Sequence, residues 1–198
     1  MSRIVIAPIV EGHGEDHAVR TLLQRIWTEL LGGEHAEIVK PIRSKRYAVV
    51  REKEFERAVS LACLKLSEMS EEPKRLVLVL LDADADPPCI LGPNLLAMAQ
   101  KCRADVDAAC VLANVEYETW FVAAAESLGE YLQLEGAAIP SDPEAARAGK
   151  GWIGRHFLGP SYSESVDQPR MTARMDLRLC RRRSKSFDKL CRELEKRI

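Results

Sequence analysis

Six consecutive aliphatic residues, Leu76 to Leu81, run without alternation into Asp82. A strand with one wet face shows polar residues at every second position, so an unbroken run of this length fits a central parallel strand covered on both sides. A second apolar run, residues 3–10, is bounded by Glu11 and Gly12 and is too short for a helix, which predicts another buried strand. Residues 15–33 then place Val19, Leu22, Leu23, Ile26, Trp27 and Leu30 at helical spacing and stop at Gly32 and Gly33. A short strand is expected within 36–42, a helix over 51–69, a helix near 93–102 and a last apolar segment at 107–115. This alternation predicts an α/β fold with a mainly parallel sheet and flanking helices.

From Glu116 the pattern changes. Residues 116–132 read as helical, residues 136–170 are rich in Gly, Pro and Ser with little periodicity, and residues 172–197 predict two short basic helices split near Ser184. The expected organisation is an α/β core over 1–115 and a helical C-terminal extension or cap over 116–198. With 198 residues, 46% of them hydrophobic and 30% charged, the chain has material for one core. It shows no apolar stretch of membrane-spanning length and no cleavable leader pattern, so a cytoplasmic protein is expected. None of the six cysteines forms a CxxC pair, which points to reduced, mostly buried thiols.

Charge is unevenly distributed. Residues 170–198 hold eleven Lys/Arg against four Asp/Glu, which leaves 18 against 26 for residues 1–169. The basic end either meets phosphate or an acidic partner, or is a solvated helix face. Arg181, Arg182 and Arg183, with Arg43, Lys45 and Arg46 further up the chain, are the candidate contacts to nucleic acid or a partner.

The acidic residues carry the chemistry. In open α/β sheets ligands gather beyond the carboxyl ends of the strands, where this sequence places Glu11 after one strand and Asp82, Asp84 and Asp86 after another. Carboxylate oxygens at this density suit Mg²⁺ or Mn²⁺. A calcium loop is excluded, because Pro87 stands where the loop requires glycine and Pro93 where it requires glutamate. His13 and His17 do not make a zinc protease helix, which needs Glu immediately after the first histidine where Gly14 stands, no phosphate-binding P-loop occurs, and the glycines around His13 do not make a dinucleotide fingerprint. His13 is a candidate phosphate contact and His17 a surface or cap residue. Glu116 and Glu118 either add a second metal site or complement a helix dipole, while Trp120 and Phe121 are expected in the core.

These motifs resemble the Toprim fold shared by topoisomerases, primases and OLD-type nucleases. "VEG" after the first strand and "DADAD" after a later one carry the likeness. It extends to a group of uncharacterised bacterial Toprim-like proteins through "VEGHGE", "EYETWF" and "KSFDKL". The resemblance implies that Glu11 acts as general acid or base, that Asp82 and Asp84 bind Mg²⁺ for phosphodiester chemistry, and that Asp86 is a further ligand, with Gly12, His13 and Glu15 in auxiliary positions. It also implies a nuclease that works beside a separate ATPase, in anti-phage defence. A topoisomerase is not expected, since 198 residues leave no room for gate and strand-passage domains, nor is a primase, since neither a zinc ribbon nor a basic nucleotide-binding half is visible. A non-catalytic adaptor or sensor that binds an ATPase or nucleic acid is the alternative, and a haloacid-dehalogenase-like phosphatase using Asp82 as nucleophile is a minor one. Gly14 departs from the hydroxyl or small side chain often found at its position in the glutamate loop.

Overall fold

The computed structural model describes residues 3–44, 52–68, 74–144 and 149–198. Among them five strands form one parallel sheet: β1 (Arg3–Val10), β2 (His35–Ile38), β3 (Ile42–Arg43), β4 (Arg75–Asp82) and β5 (Asp107–Ala113). The order is β2-β1-β4-β5, with β3 pairing with the end of β1 beyond β2. The chain moves outward from β1 to β2 and β3, then crosses to the other side of β1 to lay down β4 and β5. The strand order therefore reverses between β1 and β4, which is where α/β sheets of this kind open a crevice.

Helices α1 (His13–Arg25), α2 (Glu52–Glu68) and α3 (Pro88–Cys102) connect the strands. Alternate strand residues sort onto two faces. Ile4, Ile6, Leu76, Leu78, Leu80 and Val111 pack with α1. On the other face Val5, Ala7, Ile9, Val77, Val79 and Leu81 pack with Phe55 and Val59 of α2 and Leu95 of α3. Both faces are dry, which accounts for the absence of polar alternation in β4.

The expected strand at 36–42 is in fact two, β2 and β3, because Pro41 has no N–H to give to a ladder. Both pieces still pair with β1. Helix α3 starts five residues before the expected 93, since Pro88 stands in its first turn, where a missing N–H is harmless. The helix expected over 116–132 is broken into α4 (Glu118–Ala123) and a 3₁₀ turn at Ala125–Leu128. Two helices were not foreseen in the segment 136–170: α5 (Gly149–His156) and α6 (Glu164–Thr172). Glycines in α5 and Pro169 in α6 suppress their helix propensity, and packing overrides it. Helices α7 (Leu177–Arg183) and α8 (Lys185–Glu195) divide at Ser184 as expected.

The C-terminal segment forms a layer on the sheet. Trp120, Phe121, Ile153, Met171 and Leu190 belong to the same buried cluster as Ile4 and Leu78. The Trp120 ring meets Phe187 edge-on at 5.2 Å, and its Nε1 donates to Ser186 Oγ at 2.9 Å. The "ETWF" and "KSF" segments thus pack directly on one another. No helix among the described residues is long and apolar enough to cross a membrane.

Candidate functional site: an acidic centre at the strand ends

The pairing of Ile9 with Val79 aligns the ends of β1 and β4, so Glu11 leaves the sheet beside the strand that ends in Asp82. Gly12 caps α1 in an extended conformation, and Glu15 at the third helical position folds back so that its carboxylate accepts the Gly12 N–H. That half of a capping box turns Glu15 toward the sheet, where it is 8% exposed. From the other side, Tyr117 N donates to Asp82 Oδ1 at 2.9 Å. One residue further, Glu118 is 3% exposed and accepts from the Tyr162 hydroxyl at 2.8 Å.

Four carboxylates from three chain segments therefore share one corner. Burial pushes Asp82 well above the ordinary aspartate range, and the charges of Glu15, Glu118, Glu11 and Asp84 push it further. Burial likewise raises Glu15 from 4.5 to about 7; the Gly12 N–H opposes this, Glu118 and Glu11 add to it, and Lys150 offsets part. Glu118 is also raised by burial, with the Tyr162 hydroxyl pulling the other way.

Lys150 comes from the start of α5. Its ammonium pairs with Glu164 of α6, and its backbone N–H donates to Glu116. Glu116 thus serves to dock α5, while its charge raises Glu118. Gly149 makes this docking possible, since a Cβ there would lie 2.7 Å from Thr119 N.

Gly14 is explained in the same way. A Cβ at that position would fall 2.0 Å from Gln168 Oε1 and 3.0 Å from the Glu164 carbonyl. The departure seen in the sequence allows α6 to lie directly on α1, bringing Glu164 and Gln168 to the edge of the acidic corner.

The remaining candidates are distributed as follows. Asp84 is exposed in the left-handed region at φ 48° and acts on Asp82 electrostatically. Asp86 stands exposed on the turn beyond it, with its N–H bonded to the Ala83 carbonyl at 2.9 Å. His13 is exposed against the guanidinium of Arg43, and His17 is exposed on α1. Lys45 and Arg46 lie outside the described residues. Arg181 pairs with Asp188 and Glu195, and Arg183 pairs with Glu126. Lys150, Tyr162 and Glu164 were missed because their segment carried no periodic signal. Glu15 could have been ranked higher on its capping-box position, three residues after Gly12.

A donor set of Glu11, Glu15, Asp82 and Glu118 is chemically suited to a hard divalent cation. In the present side-chain positions, no three His, Cys, Asp or Glu among the described residues surround a common point that could hold an ion. Asp82, Glu15 and Glu118 each accept an internal hydrogen bond instead. A carboxylate has about four lone-pair sites, so such a bond is compatible with ligation.

The fold and corner define a Rossmann-like α/β protein with acidic strand ends. A family model described as a domain of unknown function, DUF4276, matches residues 10–195, and the chain belongs to that family. No curated protein and no solved structure matches the chain.

Proposed function

We propose that the chain is a Mg²⁺- or Mn²⁺-dependent phosphodiester-acting enzyme, a nuclease of Toprim-like type. The observation that carries this reading is the meeting of Glu11, Glu15, Asp82 and Glu118 at the point where the strand order reverses. Glu11, Asp82 and Glu118 would hold the ion, with Asp84 at its outer edge. A bound divalent ion supplies charge neutralisation at the phosphoryl oxygens and a lowered pKa for the attacking water. The chain's own residues form the acidic corner, and Glu15, which burial raises to about 7, would hold or release a proton there. The "VEG" and "DADAD" resemblance supports the chemistry and the part of Asp82 as a ligand, whereas the parts given to Glu15 and Glu118 rest on their place in the corner.

The test is plasmid nicking with Mg²⁺ or Mn²⁺ by the wild type, Glu11→Gln and Asp82→Asn/Asp84→Asn, each with and without a candidate ATPase. Metal-dependent nicking that is lost in both variants is expected. Absence of nicking in every condition would sink the enzyme.

A second reading, a non-catalytic adaptor, is favoured by one specific observation: the carboxylates are held by Tyr117, Tyr162 and Gly12, and among the described residues no ion geometry is preformed. It predicts that divalent ions leave the melting temperature unchanged.

A further inference from the structure

A cleft of about 330 Å³ opens where α7 turns into α8, lined by Ser141, Asp142, the run Arg181 to Lys185, and Asp188. Four cations there face two carboxylates. Arg181 is engaged by Asp188 and Glu195, and Arg183 by Glu126 and the Ala123 carbonyl. Arg182 and Lys185 are exposed and have no ion pair or hydrogen bond among the described residues. Two of the four charges thus hold the corner together, and two are left facing solvent from it.

The corner is rigid. Ser184 accepts the Phe187 N–H at 3.0 Å and donates to Glu144 Oε1 at 2.6 Å, and the Ser186 N–H donates to the same oxygen at 2.7 Å. Ser186 Oγ also accepts the N–H of Asn114 at 3.1 Å, one residue past the end of β5. This bond fixes the corner at the carboxyl end of the sheet, the end that carries Glu11 and Asp82. A flexible basic tail could not keep a fixed distance from the acidic centre; a corner bonded to β5 can.

We infer that Arg182 and Lys185 form an anchoring subsite for a backbone phosphate of a nucleic-acid strand whose reacting phosphate lies at the acidic centre. This rests on the phosphodiester reading above. A guanidinium and an ammonium on one cleft bind a phosphate without reading bases, and so set the position of the strand.

The test is fluorescence anisotropy of labelled single-stranded DNA over a salt series with Mg²⁺, in an Asp82→Asn parent and with Arg182→Ala/Lys185→Ala added. Binding is expected to weaken on the order of tenfold at low salt, and the logarithmic salt slope to become shallower by about 0.7, the value for one neutralised phosphate on a single strand. Arg183→Ala, whose charge is engaged by Glu126, leaves the slope unchanged. Melting temperatures show that the variants fold. An unchanged slope and affinity in the double variant overturns the subsite and assigns the corner to an acidic protein partner; failure of the parent to bind DNA overturns it too. Wild-type nicking is scored separately: nicking with an unchanged slope removes the subsite and keeps the enzyme, and a changed slope without nicking does the reverse.

Discussion

The acidic corner and the basic C-terminal helices treat like charge in opposite ways. Of the eleven cations in residues 170–198, six have carboxylate partners among the described residues: Arg170, Arg181, Arg183, Arg192, Lys196 and Arg197. At the strand ends, the buried Glu15 and Glu118 instead stand beside the half-buried Glu11 and Asp82, and Lys150 offsets part of the charge at Glu15 and Glu118. Surface pairs of the first kind contribute about 0 to 1 kcal/mol each and mostly steady the helices. Buried like charges oppose folding, so the second arrangement marks a place where the chain favours something other than stability.

The largest expected effect would break the comparison outright. On the proposed nuclease reading, Asp82→Asn is expected to lower metal-dependent cleavage on the order of a hundredfold or more, because Asp82 would be a ligand at the strand end; nicking assays at matched protein concentration check this.

A smaller effect concerns pH. Folded Glu15 keeps its proton up to about pH 7, whereas in the unfolded chain it releases it near 4.5. The folded state therefore binds more protons in that window, and the contribution of Glu15 to stability falls as pH rises from 4.5 through 7, by about 3 kcal/mol in all. Glu15→Gln should flatten this dependence and melt higher than wild type at pH 8, while Mg²⁺ should raise the wild-type melting temperature more at pH 8 than at pH 5. Equal pH profiles for wild type and variant would place Glu15 outside the acidic corner.

Gly14→Ala tests the packing beneath the corner. The added methyl meets Gln168 and the Glu164 backbone, so a loss of about 1–3 kcal/mol is expected in denaturant unfolding. Gln168→Ala in the same chain should return part of it. At the bottom of the scale, Arg183→Ala should lose under about 1 kcal/mol, since its Glu126 pair is exposed.

The sheet was legible because Leu76 to Leu81 and residues 3–10 each signal burial on both faces, and the strand ends followed from where those runs stop. Glu11 and Asp82 could be placed at the same end of the sheet on that basis alone. What could not be read was the wall built around them. Gly149, Gly151, Gly154 and Pro169 disguise α5 and α6, which form because Trp152, Ile153 and Met171 are buried against the rest. Lys150, Tyr162 and Glu164 came with them. The basic tail misled in a different way, since a run of arginines says nothing of which ones already have partners.

Val115 joins β5 to the segment bearing Glu116, Tyr117 and Glu118, and it does so at φ 62° while its carbonyl accepts the Asp84 N–H at 2.7 Å. A β-branched residue held in that region costs on the order of 1–3 kcal/mol. A selection for thermal robustness alone would therefore reach Val115→Gly or Val115→Asn early, and would gain heat tolerance at the turn that aims Tyr117 at Asp82.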